Sequence, residues 1–254
     1  MTEIINLAGK NALITGGTRG IGKGIALRLA QAGADLALFH RGDAASAEAT
    51  KSEIMSATGR RVEVYQADVS DEAQIEVGVE RAFSEFGGAG FDIVVHNAGG
   101  GDGGGAMPSV RTEQWRGVLG VNLDAAFFLT RALLAKQGAL SDGASIIFIA
   151  SGAGHDPIGG LAAYGAAKAG LIHFAQVLAQ DVGPTRGVRV NVVSPGFTDT
   201  GRASDERKQA VASQTALRRV GTPADVAGAV LFFACPELSG FVTGQWLRVN
   251  GGLV

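Results

Sequence analysis

Short apolar runs alternate with amphipathic, helix-like stretches along the whole chain. Seven apolar runs have the length of strands and lie near 11–15, 35–39, 62–66, 92–96, 145–150, 188–193 and 246–249. Between them, apolar positions at helical spacing predict helices near 20–32, 43–57, 72–86, 112–136, 160–181 and 223–234. Strands that alternate with helices favour a parallel sheet covered by helices on both faces. Residues 146–149 are all apolar, as expected for a central strand buried on both sides.

Composition and charge bound the class of protein. The chain has 254 residues, of which 46% are hydrophobic and 18% charged, enough for a large core within one domain. We therefore expect a single α/β domain over 1–254. The formal net charge of −2 gives no electrostatic reason to bind nucleic acid or an anionic membrane surface. The four histidines show no metal-ligand spacing, so we predict no metal.

Three features predict a cytoplasmic protein. The one cysteine, Cys235, excludes an internal disulfide and suits a reducing compartment. We find no apolar stretch close to the roughly 20 residues of a membrane span. Residues 1–6 lack the basic start and apolar segment of a signal peptide.

Three side chains form a candidate acid–base group. Tyr164 and Lys168 are four residues apart, so on a helix they share one face. An ammonium group near a phenol favours the phenolate, and we expect Lys168 to lower the tyrosine pKa towards neutrality. Ser151 precedes Tyr164 by 164 − 151 = 13 residues, which allows a strand end and a loop before that helix. Its hydroxyl is then a candidate hydrogen-bond donor to the same substrate oxygen.

A glycine-rich turn follows the first predicted strand. It has the spacing Thr-Gly-x-x-x-Gly-x-Gly, built on Gly16, Gly20 and Gly22, and a helical pattern follows directly. Such a turn lets backbone N–H groups and the positive end of a helix approach a pyrophosphate. The loop residues predicted to contact a cofactor are Gly16, Thr18, Arg19, Gly20, Ile21 and Gly22.

Together these motifs resemble the short-chain dehydrogenase/reductase family. In chain order they are the glycine-rich turn, Asn97-Ala98-Gly99, Asn122, Ser151, Tyr164-x-x-x-Lys168 and Pro195-Gly196. The resemblance spans residues 10–252. It implies a Rossmann-type doubly wound parallel seven-stranded sheet and transfer of hydride between a nicotinamide and a carbonyl or secondary alcohol.

The resemblance also assigns roles to residues at the other strand ends. Asp68 and Val69 match the pair that contacts the adenine, and the turn of Asn97, Ala98 and Gly99 matches the one that the cofactor ribose approaches. In relatives, the turn after the sixth strand holds the nicotinamide carboxamide and places a threonine near a phosphate; here its residues are Pro195, Gly196, Thr198 and Thr200. His96 stands where the family often has asparagine.

The residues after the second strand predict NADP(H) over NAD(H). Many NAD-binding relatives carry a carboxylate there, but this chain has His40 followed by Arg41. Arg41 would pair with a 2′-phosphate through charge-assisted hydrogen bonds, and Arg19 is a second basic residue of the kind that NADP-binding relatives carry. Asp43 is the one nearby residue that argues against this.

For catalysis, the resemblance implies a tetrad of Asn122, Ser151, Tyr164 and Lys168. Tyr164 is the expected general acid and base. Lys168 is expected to contact the nicotinamide ribose as well as lower the phenol pKa. Asn122 is expected to order a water that feeds protons to the lysine.

The substrate stays open at this point. The C-terminal half resembles 3-oxoacyl-carrier-protein reductases, but Ser141 and Asp142 stand where such reductases often offer basic residues to an acidic carrier. A small ketone, sugar or polyol is the alternative, and a catalytically silent protein on the same fold is a third reading. Segment 99–105 is either a flexible connection or a wall of the substrate cleft, and His155 either lines that cleft or is a plain loop residue.

We also expect a homotetramer, with a dimer as the alternative. The helices predicted near 112–136 and 160–181 carry more apolar surface than one sheet face covers, and in relatives they pair with their copies. The expected outer residues are Ala125, Ala126, Ala132, Ala166, Ala169 and Phe174.

Overall fold

The computed structural model describes residues 5–100 and 104–253. Seven strands form one parallel sheet in the order β3-β2-β1-β4-β5-β6-β7, the predicted doubly wound arrangement. The strands are β1 (Asn11–Thr15), β2 (Asp35–His40), β3 (Val62–Gln66), β4 (Phe91–His96), β5 (Leu140–Ile149), β6 (Arg189–Pro195) and β7 (Trp246–Val249). The strand order reverses between β1 and β4, where open α/β sheets bind ligands beyond the carboxyl ends of their strands.

Helices cover both faces of the sheet. They are α1 (Gly20–Gln31), α2 (Ala44–Thr58), α3 (Glu72–Glu85), α4 (Thr112–Leu119), α5 (Ala125–Ala135), α6 (Ala162–Arg186), α7 (Asp205–Ala212), α8 (Pro223–Ala234) and α9 (Pro236–Ser239). Helices α1, α2 and α8 pack on one face, and α3, α5 and α6 pack on the other.

Successive residues of the inner strands are buried on opposite faces of the sheet. Leu13 of β1 packs with Phe39 in one core, whereas Ile14 packs with Leu38 in the other. All four side chains have no exposed surface, and burial of each contributes about 1.5–3 kcal/mol. This two-sided burial is the reason that the strands are uniformly apolar.

Two element boundaries differ from the prediction by five residues. Strand β5 begins at Leu140 rather than 145, because Leu140 pairs with Phe91 ahead of a register shift. Helix α6 continues to Arg186 rather than 181 and ends where Gly187 takes the left-handed conformation, φ 62°. Helix α7 was not predicted. None of its eight residues, all of them described, is buried, so it has no apolar periodicity to detect.

The predicted helix 112–136 is interrupted. Between α4 and α5 lies a π-helical turn, Gly120–Asp124, which carries Asn122. A π turn adds one residue and so rotates the helix face that follows it. Ala125 and Ala126 are therefore buried against the sheet, and their assignment as outer residues was wrong. Ala166 and Ala169 on α6 are exposed as expected.

The same helical stretch contradicts the expectation that no apolar stretch approaches the length of a membrane span. Residues Thr112–Ala135 are long and apolar enough to cross a membrane by length and composition. Core helices that pack on a sheet meet the same criteria, and here α4 contacts α6 while α5 contacts α3.

Candidate active site

The glycine-rich loop packs so tightly that side chains are excluded. A Cβ on Gly22 would lie 2.1 Å from the carbonyl oxygen of Gly16, and Gly16 and Gly20 have positive φ angles of 63° and 53°. Arg19 at the N-cap of α1 is exposed, and its side chain makes no capping hydrogen bond within the described part of the chain. The first amides of α1 therefore remain available to an anion. Thr18 is buried, and Ile21 is half-buried.

The end of β4 holds this loop in place. The Thr15 hydroxyl accepts hydrogen bonds from the backbone N–H groups of Asn97 and Ala98, both at 3.0 Å. The Asn97 amide donates to the carbonyls of Thr15 and Gly16 at 2.9 and 3.1 Å. Asn97 thus joins β4 to the glycine-rich loop, and Gly99 continues into the cleft.

At the end of β2, His40 is 8% exposed and its Nδ1 has no hydrogen-bond partner among the described residues. Burial lowers the pKa of His40, and the nearby charges of Asp43 and Glu48 partly oppose that shift. Arg41 is exposed beside it.

Asp43, the residue that argued against NADP(H), caps α2. Its carboxylate accepts from the backbone N–H and the hydroxyl of Ser46 at 3.0 and 2.6 Å. These hydrogen bonds lower the pKa of Asp43, with a smaller contribution from Arg19. The carboxylate therefore bonds within its own helix, and the positive charge of Arg19 also stabilises its ionised form.

Two other strand ends complete the outer part of the cleft. After β3, Asp68 Oδ1 accepts from the backbone N–H and the hydroxyl of Ser70 at 2.9 and 2.7 Å, and Val69 is buried. Asp68 thus forms a turn, and Asp71 caps α3.

After β6, the backbone approaches its neighbours closely. A Cβ on Gly196 would lie 2.9 Å from Asn250, and Thr198 forms a bridge with Gly221. The Thr200 methyl would lie 3.3 Å from a Cβ on Gly20, so this loop faces the glycine-rich loop across the cleft. Pro195, at the end of the strand, is buried.

Ser151 lies just beyond β5, and Tyr164 lies in the first turn of α6. The Ser151 Oγ accepts the backbone N–H of Ala153 at 3.2 Å, which leaves its own proton free to be donated. Burial raises the pKa of Tyr164, and a hydrogen bond with Ser151 acts in the opposite direction. The structure thus brings the predicted serine and tyrosine together.

Lys168 lies one turn after Tyr164 on α6. Its side chain is buried, and Nζ donates to the carbonyl of Ile149 at 2.8 Å. Nζ lies 5.7 Å from the centre of the Tyr164 ring. Burial lowers the pKa of Lys168 to about 8. The pKa of Tyr164 is therefore raised and not lowered as expected, because burial of the phenol outweighs the other contributions.

The Asn122 carboxamide makes three hydrogen bonds to backbone groups. Its Nδ2 donates to the carbonyls of Gly100 and Val118 at 2.7 and 2.9 Å, and its Oδ1 accepts the Gly100 N–H at 2.9 Å. The side chain therefore locks the turn after β4 to the π-helical turn. A Cβ on Gly99 would approach both Asn122 Oδ1 and Lys168 Nζ, at 2.6 and 3.2 Å, so three elements converge at this glycine.

Comparison with known proteins identifies the family. A family model described as enoyl-(acyl carrier protein) reductase matches residues 16–254. The 3-oxoacyl-[acyl-carrier-protein] reductase of Escherichia coli (strain K12) is 39% identical, over 98% of this chain and 99% of that protein. Cyclohexanol dehydrogenase of Rhodococcus sp. (strain TK6) is 37% identical, over 100% and 99%. A short chain dehydrogenase of Burkholderia cenocepacia, solved in complex with NADP, is 38% identical over 98% and 99%, with a TM-score of 0.89.

This chain belongs to the short-chain dehydrogenase/reductase family. The resemblance inferred from its motifs is confirmed, and the chain is an oxidoreductase of that family. The description of the family model and the names of the relatives refer to different substrates, so the family alone leaves the substrate undetermined.

Two histidines of this short-chain dehydrogenase/reductase pack against aromatic rings. His96 stacks on Phe148 with ring centres 4.4 Å apart, and burial lowers its pKa to about 3, so it stays neutral. His155 packs edge-on against Trp246 of β7 at 4.5 Å, and the neighbouring Asp156 pairs with Arg248 at 3.4 Å. His155 is therefore packed against the edge strand. Segment 99–105, the other open alternative, includes residues 101–103, which lie outside the described residues.

The sequence reading missed two polar contacts of the site. Thr15 joins β4 to the glycine-rich loop, and its signal was its place directly before that loop. Lys208 of α7 pairs with Asp199 at 2.9 Å. The two residues are nine positions apart on different elements, so no local pattern indicated the pair.

Proposed function

We propose that this chain is an NADP(H)-dependent oxidoreductase that interconverts a carbonyl compound and a secondary alcohol, with Tyr164 as general acid and base. One observation carries the proposal. The Ser151 hydroxyl lies close enough to Tyr164 to oppose the rise in its pKa, and Lys168 lies on the next turn of the same helix, opposite a glycine-rich loop with free amides. A serine and a tyrosine that converge on one point suit an oxygen atom that changes its charge during the reaction.

The residues of the cleft fit NADP(H). The glycine-rich loop and the first amides of α1 fit a pyrophosphate. Arg19 and Arg41 are exposed cations beside the end of β2, where a 2′-phosphate is recognised in this fold. The relative from Burkholderia cenocepacia, which was solved with NADP, supports the same choice. When bound, the cofactor supplies the hydride.

The protein's own groups supply the proton and the positioning. The raised pKa of Tyr164 keeps its phenol protonated at neutral pH, as a proton donor must be. Because Ser151 Oγ accepts the Ala153 N–H, its O–H can be donated either to Tyr164 or to the substrate oxygen. Lys168 holds a positive charge close to Tyr164 below a pH of about 8. Asn122 holds Gly99 and Gly100 against this group.

A panel of ketones, aldehydes and alcohols, assayed through the nicotinamide absorbance, tests the proposal. We expect turnover with NADPH or NADP⁺ that exceeds turnover with NADH or NAD⁺. An absence of turnover across the whole panel would favour the catalytically silent protein instead.

For the substrate, a small ketone, sugar or polyol has support from one ion pair. Arg186 donates to Asp142 at 2.9 Å, so a cation at the end of α6 is neutralised where an acidic carrier would need a basic surface. A 3-oxoacyl thioester is the second candidate, supported by the name of the Escherichia coli relative. Rates with one 3-oxoacyl group on a carrier protein and as a small thioester separate the two candidates.

A homotetramer is part of the proposal. Phe127 on α5 and Val177 on α6 are 45% and 46% exposed, while Phe241 and Leu247 near the edge strand are fully and 40% exposed. Two separate apolar faces suit two isologous contacts, which close into D2 symmetry. Light scattering should give four times the 25.9 kDa chain mass, and the mass of one chain would contradict this. The cytoplasmic location stays a prediction.

A further inference from the structure

Helix α7 is held in place without a buried side chain. It begins at Asp205, after Ser204 caps its first turn by accepting the N–H of Arg207. Its inner face consists of Lys208, Val211 and Ala212, which are only half-buried. An eight-residue helix is marginal on its own in water, so a contact outside the helix has to keep it on the protein.

That contact is an ion pair with the loop after β6. Lys208 Nζ lies 2.9 Å from Asp199 Oδ2, and the two side chains are 28% and 25% exposed. The Asp199 backbone N–H donates to Gly221 at 2.8 Å, and Asp199 Oδ1 accepts from Gly201 at 2.8 Å. Asp199 is therefore fixed by its own backbone and neighbours, while Lys208 is the end of a flexible side chain.

The pKa values of both partners agree with this pairing. The hydrogen bond with Lys208 lowers the pKa of Asp199, and the hydrogen bond with Asp199 raises the pKa of Lys208. Each group thus favours the charged form of the other, and the pair stays ionised around neutral pH.

The loop that carries Asp199 closes one side of the cleft. Thr200, the next residue, approaches Gly20 of the glycine-rich loop. The Arg207 guanidinium of α7 lies 5.6 Å from the centre of the Phe197 ring, two residues before Asp199. Helix α7 therefore contacts this loop at two points and covers its outer side.

We propose that Lys208 is a positioning residue that latches α7 onto the loop after β6 and so holds that loop over the cleft. A partly exposed ion pair breaks and reforms easily, which suits a loop that opens and closes over a cleft. The role in turnover rests on the proposed oxidoreductase function, whereas the latch itself does not.

Lys208 has a second partner that offers a matched control. Its Nζ lies 3.3 Å from Asp205 within the same helix. Asp205→Asn removes this internal pair and leaves the pair with Asp199 intact. Lys208→Met removes both pairs while keeping a long side chain, and Lys208→Arg keeps the charge.

Hydrogen exchange of the ligand-free protein, followed by mass spectrometry, tests the latch without any substrate. In Lys208→Met we expect the amides of α7 to exchange about 1.5- to 5-fold faster, the range typical of an exposed ion pair. Asp205→Asn and Lys208→Arg should exchange like the unmodified chain. High salt should speed exchange in the unmodified chain and change Lys208→Met little, because salt screens the pair. Equal exchange in Lys208→Met and the unmodified chain, or an equal acceleration in Asp205→Asn, would overturn the latch.

Kinetics then tests what the latch does. At saturating NADPH, Lys208→Met should raise the substrate KM by about the same 1.5- to 5-fold and leave kcat unchanged. Failure of the unmodified chain to turn over any carbonyl would sink the proposed function, while the exchange measurement would still decide on the latch. An exchange effect without a change in KM would place α7 away from the substrate path and overturn the closing role.

Discussion

Tyr164 and Lys168 lie on α6, a helix packed on the sheet, and form what we call the inner wall of the cleft. Arg41 and Lys208 lie at the exposed edge of the cleft, which we call its rim. Lys168 is 3% exposed, and its ammonium donates to the backbone of β5. Arg41 is exposed after β2, and Lys208 lies on a helix none of whose described residues is buried. Lys168 is thus fixed by packing and a backbone hydrogen bond, and Lys208 by an ion pair.

The two regions differ in what burial and pairing do to the pKa values of their side chains. Burial raises the pKa of Tyr164 and lowers that of Lys168 to about 8, so at neutral pH the phenol keeps its proton beside a charged ammonium group. At the rim, the pairing with Asp199 raises the pKa of Lys208, so that group stays charged. We expect changes at the inner wall to reduce turnover and changes at the rim to reduce affinity.

The largest effect is expected for Tyr164→Phe. The change removes the proton donor and keeps the ring, so turnover should fall by about 10²- to 10⁴-fold, the range of general acid catalysis. NADPH affinity, measured by fluorescence or calorimetry, should stay nearly unchanged. A variant that keeps substantial turnover would exclude Tyr164 as the acid, and the inner wall would then not differ from the rim in its effect on turnover.

A smaller effect is expected for Arg41→Ala at the rim. Loss of a charge-assisted hydrogen bond to a 2′-phosphate should weaken NADPH binding by about 1.5–3 kcal/mol and leave NADH binding little changed. Titration of both cofactors measures the difference. Equal losses for the two cofactors would mean that Arg41 does not read the phosphate.

The buried lysine also predicts a dependence on pH. The pKa of Lys168 is about 8 in the folded chain, against 10.5 for an ordinary lysine, so the unfolded chain binds more protons between these values. The burial penalty on Lys168 is complete below a pH of about 8 and disappears towards 10.5, so its contribution to stability rises with pH in that window.

Denaturant unfolding at pH 7.5 and 9.5, with Lys168→Met as the matched reference, measures this contribution. The stability of the unmodified chain relative to the variant should increase at the higher pH. In the same window kcat/KM for reduction should fall, because the ammonium group that supports Tyr164 loses its proton. A constant stability difference would contradict the burial effect on Lys168.

The smallest effect is expected for Asp142→Lys, near the start of β5 and away from the cleft. The change frees Arg186 and adds a cation, so a carrier-bound 3-oxoacyl substrate should show a KM lower by a few-fold, on the scale of surface charge contacts. A free ketone serves as the control and should be unaffected. A carrier-bound substrate that already reacts as well as its small thioester with the unmodified chain would show that the Asp142–Arg186 pair does not exclude a carrier.

Much of the sheet and of the inner wall could be predicted from the sequence, because local patterns report them. Apolar runs and helical spacing predicted all seven strands and the helices that pack on them. The spacing of Tyr164 and Lys168 predicted a shared helix face. The same reasoning failed for Ala125 and Ala126, since it assumed a regular helix across Asn122.

The sequence by itself determined the order of the elements, the positions of Ser151 and Tyr164 at one edge of the sheet, and the family. Only the tertiary structure decided that the Asn122 side chain holds Gly100, that burial sets the pKa of Lys168, and that Lys208 meets Asp199. The physical reason is the distance along the chain between the residues that interact. Helical and strand periodicity reflect contacts between residues a few positions apart, whereas burial and ion pairing depend on which distant segments the register of the sheet brings together.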